Sequence, residues 1–199
     1  MRRAVAAGMN VSAKERLRAA ALHRRRALPA NERARASARI QDALLDWLAT
    51  RDMACAPLLI YRAMNSEVDT SRVLARTHPA MYAPAVRGHV ITWRRVTAQT
   101  RWIEGGMGAL EPASGEPWTP DSTAAVLVCP LAGFDRAGNR LGLGKGCFDR
   151  WLAGHRRHVD AVIGLAFACQ ELACIPAEPH DEPLDWVLTE REIIECRAR

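Results

Sequence analysis

The sequence predicts an α/β protein built around a mainly parallel sheet. Three stretches carry that prediction: "APLLIYR" (56–62), "AAVLVCP" (124–130) and "AVIGLAF" (161–167). Each is apolar throughout, as a strand is when both of its faces are covered. Helix-like segments separate them, and strands alternating with helices give parallel sheets in layered domains. In such sheets ligands bind beyond the carboxyl ends of the strands. The residues to inspect therefore follow Tyr61, Cys129 and Phe167.

The remaining elements follow from local signals. Ser12 and Glu15 form a capping box, so a helix is expected over about 12–28. Pro29 stops it, because proline disfavours helical geometry in the residue before it. A second helix is expected over 31–49, with Ile40, Leu44, Trp47 and Leu48 on one face. "VDTSRVLART" reads as a short helix, "AMYAPAV" as a strand, and the alternating "HVITWRRV" as a strand nearer an edge. Residues 105–120 are rich in glycine and proline without a period and read as loop. A helix over about 145–158 and a short strand in "PLDWVLTE" complete the chain. Residues 1–11 read as a loose leader, and 12–199 as a single domain.

Composition narrows the function. Of 199 residues, 49% are hydrophobic and 25% charged, as in ordinary folded domains. The net charge of +6 suits an anionic partner. The cations are scattered among acids rather than massed on one block, which argues against a nucleic-acid partner. No stretch reaches the ~20 apolar residues of a membrane span. Six cysteines form no C-x-x-C pair, which argues against a zinc site. Cys55 and Cys129 lie in apolar runs and read as core residues, which suits a reducing cytoplasm.

Of 28 basic side chains only Lys14 and Lys145 are lysine. Lys145 sits in "RLGLGKG" (140–146), between an apolar strand and a helix. Such a loop lets backbone N–H groups close on a phosphate at a helix N-terminus. A flexible turn with its lysine in solvent is the competing reading. The spacing is neither that of a Walker A loop nor that of a dinucleotide fingerprint. Arg140 and Lys145 flank the glycines and Asp149 follows one turn on, a set suited to phosphate oxygens and Mg²⁺, although Asp149 also suits the helix dipole. Lys14 and Arg18 share a helix face near an N-terminus, where cations are mildly unfavourable unless an anion is bound. A solvated basic face is the alternative there. Glu67 follows the first strand, as ligand contact or turn acid. Gln170 and the pair His180–Asp181 follow the third. Asp135 is expected to close a turn with Gly138.

Together, "KERLR", "YRAMNSEVDT", "GALEP", "FDRAGNRLGLGKGCFDRWL", "IGLAFACQ" and "IPAEPHDEPLDWVLTE" resemble the 5-formyltetrahydrofolate cyclo-ligase family, also called 5,10-methenyltetrahydrofolate synthetase, from about Lys14 to Glu190. The resemblance implies a three-layer α/β/α sandwich like the sugar-phosphate isomerase and CoA-transferase folds. It implies conversion of 5-formyltetrahydrofolate, possibly polyglutamylated, to 5,10-methenyltetrahydrofolate with ATP and Mg²⁺. By that pattern Lys14, Glu15, Arg16, Leu17 and Arg18 contact ATP. So do Arg140, Leu141, Gly142, Leu143, Gly144, Lys145, Gly146, Cys147 and Phe148. Arg140 and Lys145 serve catalysis, and Asp149 and Asp181 bind the metal. Arg62, Met64, Glu67 and Met107 face the folate, with Leu143, Gly144, Lys145, Gly146 and Cys147 reaching both substrates. Where the family usually has two tyrosines before its aspartate, this chain has Cys147 and Phe148; Met107 stands where an aromatic is common. A non-catalytic folate binder, a basic RNA-binding protein and a phosphosugar isomerase-like enzyme are the rival readings.

Overall fold

Local chemistry sets where the helices begin and end. A computed structural model of the chain describes residues 12–76, 78–120 and 123–196, with the backbone alone at Met107. The expected leader, 1–11, lies outside the described residues. Helix α1 spans Ala13–Ala27, and its capping box forms: Glu15 N donates to Ser12 Oγ at 3.2 Å, and Ser12 N to the Glu15 carboxylate at 2.8 Å. Leu28, before Pro29, turns extended and ends the helix. Helix α2, Ala30–Thr50, buries the predicted face of Ile40, Leu44, Trp47 and Leu48. Strand β1 is Leu58–Ile60, and the short α3 is Ser71–Leu74. The strands β2 (Met81–Arg87) and β3 (Val90–Arg95) form an antiparallel pair.

Residues 105–120 are not all loop. Strand β4, Trp102–Glu104, pairs with β5, Leu110–Pro112, in a two-stranded ribbon. Glu111 holds it down: its buried carboxylate accepts from Val86 N at 3.0 Å and Arg87 at 2.8 Å. A buried charged partner from a distant strand leaves no local sequence signal. Next come β6 (Ala125–Pro130), and a small hairpin of β7 (Gly133–Phe134) and β8 (Arg140–Leu141) that sequence reading had not separated from the loop. Helix α4 spans Cys147–His155, followed by β9 (Val159–Leu165), β10 (Trp186–Leu188) and β11 (Ile193–Glu195). The last strand was also unforeseen; three residues are too few to show a period.

The main sheet has the order β11-β10-β9-β6-β1-β2-β3. Its five central strands are parallel, and the edge strands β3 and β11 are antiparallel to their neighbours. Alternation along each strand divides the core into two layers. Leu58, Ile60, Val126 and Val128 pack on one side against Leu44 and Trp47 of α2. Leu59, Leu127 and Val162 pack on the other side with Trp151 and Leu152 of α4. The result is the expected α/β/α sandwich. A third cluster, around Ala21, Ala132, Leu141 and Leu172, seats α1 at the carboxyl end of the sheet. Among the described residues no helix is long and apolar enough to cross a membrane.

The cysteines divide differently from expectation. Cys129 is buried, and loss of solvent pushes its thiol up to about 12. Cys55 is exposed, in a turn that precedes the apolar run rather than joining it.

Leu127 is fully buried on the central strand β6. Leu127→Ala is expected to cost about 2–5 kcal/mol through lost burial and a residual cavity, read as a lowered urea midpoint with unchanged m-value.

Candidate active site

The strand order reverses direction at β1 and β6. The chain moves from β1 outward to β2, then returns to β6 on the other side and continues to β9. A crevice opens beyond such a switch point, and two clefts lie there. Each encloses about 880 Å³, counting the space open to solvent. Segment 140–149 is the wall between them: Arg140, Gly142, Lys145, Gly146 and Asp149 line both.

The first cleft has mainly apolar walls, including Pro84, Val86, Ile91 and Leu131. Arg62, Met64 and Glu67, from the segment after β1, line it. So do Leu143, Cys147 and Phe148. Glu67 is buried, and its carboxylate accepts from Met64 N at 2.9 Å. Desolvation raises its pKa, against the pull of that N–H and the Arg25 charge. Tyr61 donates its hydroxyl to Val68 O at 2.8 Å and shapes the turn beneath. Phe148 meets Trp93 edge-on at 6.2 Å, so the ring is partly committed to the core. The expected contact at Met107 has its side chain outside the described residues.

The second cleft is charged. Lys14 and Arg18 line it from α1, Arg150 from α4, and Glu178, His180 and Asp181 from the segment before β10. Lys14 Nζ lies 2.7 Å from both Glu178 and Asp181. Burial by itself would lower its pKa, but the two carboxylates outweigh that and keep the ammonium above its ordinary value. Burial likewise opposes ionisation of Asp181, and Lys14 with the Glu178 N–H overcomes it and lowers the pKa. Arg18 Nε donates to Gly142 O at 2.7 Å, so α1 holds the glycine loop directly. The two segments that carry the chain's only lysines meet in this cleft.

The geometry also redistributes several expected contacts. Helical spacing puts Lys14 and Arg18 on the wall and turns Glu15, Arg16 and Leu17 away from it. Glu15 is spent on its cap, and Leu17 packs toward the Ala21 cluster. Leu143, Cys147 and Phe148 line the first cleft and not the second, while Gly144 lines only the second. Leu141 reaches the second cleft, but it is 2% exposed and its side chain packs with Ala21 and Ala132. Asp149 and Asp181 both line the second cleft, but Asp149 is not among the clustered ligand atoms there. Arg140 Nη2 donates to Asp149 Oδ1 at 2.6 Å, and Glu182 N donates to the same oxygen at 3.3 Å. Arg140, 6% exposed at its side chain, is therefore fixed by its acid. The Lys145 side chain makes no ion pair or hydrogen bond to another described residue, although its backbone oxygen accepts from Arg150. Gly144 and Gly146 have φ of +93° and +59°, which glycine adopts without strain, and Gly146 caps α4.

Three buried polar residues support the site, and sequence reading gave none of them this role. Arg25 donates to Ser66 Oγ at 3.1 Å and Leu131 O at 3.2 Å. Gln170 donates to Leu131 O at 2.8 Å and Ala132 O at 2.9 Å, and accepts from Phe167 N at 2.9 Å. Asp135 accepts from Ala137 N, Asn139 N, Asn139 Nδ2 and Ile175 N, all within 3.0 Å, while Gly138 N closes the expected turn onto Asp135 O. Arg25 sits in "RRR" (24–26), where nothing local marks the buried one. Cys147 has no partner base, since its thiol contacts only Lys145 O at 4.0 Å.

Comparison with known proteins gives these clefts a context. The chain is 30% identical over 202 residues to the 5-formyltetrahydrofolate cyclo-ligase of Mycolicibacterium smegmatis, covering 95% of this chain and 100% of that one. It is 28% identical over 138 residues to the Haemophilus influenzae protein of the same name, covering 66% and 74%. The solved structure of the Aquifex aeolicus 5,10-methenyltetrahydrofolate synthetase matches with a TM-score of 0.76 at 29% identity, over 94% of each chain. The model of the 5-formyltetrahydrofolate cyclo-ligase family matches residues 10–190, and the chain belongs to that family.

Proposed function

We propose that this chain is an ATP-dependent C–N ligase. It converts 5-formyltetrahydrofolate to 5,10-methenyltetrahydrofolate, releasing ADP and phosphate, as a single catalytic domain over 12–199 working in the cytoplasm. The observation that carries this is the shared wall. Arg140, Lys145 and Asp149 face both clefts, so a phosphoryl donor in one and an acceptor in the other meet the same charges.

A formamide is a weak electrophile, and its oxygen leaves poorly. Moving the γ-phosphoryl group of ATP onto that oxygen releases ADP and corrects both faults. The arylamine nitrogen of the same folate then closes on the carbon, and phosphate departs. No protein nucleophile is required, which accords with a site of cations and glycines. The protein supplies position and charge. Glu67 offers a carboxylate to the N–H edge of the pterin. Lys145, unpaired on a glycine loop, is free to follow the phosphoryl group between the clefts. The Arg140 guanidinium is held still by Asp149 and faces the same place. The N-terminus of α4 adds its dipole to the anion's side of the wall.

The donor set fits Mg²⁺. Glu178, His180 and Asp181 offer ligand atoms within 4.8 Å of one another. Two of the three are carboxylates, the hard oxygen ligands that Mg²⁺ takes. The Lys14 ammonium already sits against both of them. Asp181, with Glu178 beside it, would hold the ion, and Asp149 has its second oxygen to offer. Bound there, Mg²⁺ would neutralise phosphate charge. Lys14 would then be released toward the nucleotide.

Incubation with 5-formyltetrahydrofolate, ATP and Mg²⁺ is expected to generate methenyltetrahydrofolate, followed by its near-ultraviolet absorbance. Folate binding without turnover would reject the ligase and leave a sequestering protein. Lys145→Ala is expected to lower kcat by about 10²–10³-fold, the cost of removing one charge-stabilising donor, with an unchanged melting temperature because no folded contact is lost. Turnover like that of the unaltered protein would remove Lys145 from the chemistry.

Glu67 gives a pH prediction. Its folded pKa lies above the ordinary 4.5, so the fold favours the protonated form. The associated stability is full below 4.5 and declines as pH rises through the raised value. Glu67→Gln is expected to flatten that decline in urea titrations from pH 4.5 upward. At neutral pH the same variant should match or exceed the parent in stability while binding folate about 10–100-fold more weakly. Weaker folding together with intact folate affinity would reverse the assignment.

A further inference from the structure

We propose that Arg62 reads the anionic tail of the substrate, pairing with its glutamyl carboxylates, and so sets the preference for a glutamylated pterin over an uncharged one. This rests on the folate reading of the first cleft.

The cations around the two clefts are nearly all committed. Lys14 is held by Glu178 and Asp181, Arg140 by Asp149, Arg18 by Gly142 O, Arg25 by Ser66 and Leu131 O, and Arg150 by Lys145 O. Lys145 and Arg62 are the exceptions: the side chain of neither has an ion pair or hydrogen bond to another described residue. They stand in different places. Lys145 lines both clefts, whereas Arg62 lines only the first. The first free cation is thus at the wall where phosphoryl chemistry belongs. The second is in the folate cleft, away from the nucleotide.

Arg62 is half-buried among apolar walls, a setting that costs a cation free energy unless an anion or water meets it. The acid nearest in sequence, Glu67, is not its partner; that carboxylate faces Met64 N and the charge of Arg25. What does hold Arg62 is an aromatic face. Its guanidinium carbon lies 4.3 Å from the centroid of the Trp102 ring. That contact holds the cation without spending its N–H groups, which stay available to grip a carboxylate with two parallel bonds. Trp102 is itself set in β4, which the buried Glu111 of β5 anchors to β2.

The substrate has two polar ends of opposite character. The pterin edge presents N–H donors, which match the acceptor Glu67. The glutamyl end presents two carboxylates, which match a free guanidinium. Away from the shared wall the first cleft holds one charged group of each kind, Glu67 and Arg62, and the two form no ion pair.

The test compares 5-formyltetrahydrofolate with its diamide, in which both glutamyl carboxylates are converted to neutral amides. Dissociation constants are measured by calorimetry without ATP, on the unaltered protein and on Arg62→Gln and Arg62→Lys. The unaltered protein is expected to bind the acid about 10–100-fold more tightly than the diamide, a preference that shrinks with added salt. Arg62→Gln is expected to bring the two within about 3-fold by weakening the acid alone. Arg62→Lys, which keeps the charge and loses the fork, is expected to fall between. Equal weakening of both ligands by Arg62→Gln, or an unaltered protein indifferent to the carboxylates, would overturn the proposal while leaving the folate reading intact. Binding of neither ligand by the unaltered protein would overturn both.

Discussion

The carbonyl oxygen of Leu131 is the point on which the site depends. It ends the central strand β6 and accepts from Arg25 of α1 at 3.2 Å and Gln170 at 2.8 Å. One backbone atom therefore ties together α1, the end of β6 and the turn after β9. Arg25 also bonds Ser66, beside Glu67, and its helix carries Lys14 and Arg18 into the second cleft. The hairpin β7–β8 leaves from Ala132 and delivers Arg140 at the root of the glycine loop. Close contact enforces the arrangement, since a Cβ at Gly133 would lie 3.2 Å from that of Ala21. Helix and hairpin can approach there because the position is glycine.

Charge in the clefts is distributed by the physics of the two cations. Where geometry must be fixed, arginine is used with a partner that locks its plane: Asp149 for Arg140, Gly142 O for Arg18, the Trp102 ring for Arg62. Where charge has to travel or exchange partners, lysine is used. Its ammonium is a point charge on a flexible stem and gives no directional fork. Lys14 rests between carboxylates suited to a metal, and Lys145 rests on glycines with no described partner. In a chain with 28 basic residues, both lysines line the second cleft.

Sequence made some of this legible and hid the rest for definable reasons. The apolar runs on β1, β6 and β9 are visible because burial on both faces needs no partner to be recognised. The sandwich follows from them. The glycine loop was visible as a phosphate cradle, but its lysine read equally well as solvated, and Lys14 joined it through the family resemblance alone. Arg25, Gln170 and Glu111 were hidden because a buried polar group is defined by its partners, which lie 106, 39 and 25 residues away for Leu131, Leu131 and Val86. The β4–β5 ribbon was lost for the same cause, its anchor being Glu111. Cys55 was misplaced because an apolar run shows where burial happens without marking where it begins.

Departures from the family pattern act through the aromatic cluster beneath the loop. Phe148 meets Trp93, Trp93 meets Trp151, and Trp151 stacks on His155 at 4.6 Å and leans on Trp118 at 5.6 Å. Together these rings clamp the first two turns of α4 to the sheet. A phenylalanine at 148 fills that clamp without its hydroxyl. Cys147 is another matter: it is buried and lines the first cleft near Lys145, with a side chain far smaller than tyrosine. The root of the glycine loop is thus packed against the sheet, while on its first-cleft side Cys147 presents only a small side chain. Packing at the root preserves the shared wall that aligns the two clefts. On the first-cleft side, a small residue beside Lys145 leaves Glu67 and Arg62 as the charged groups away from that wall.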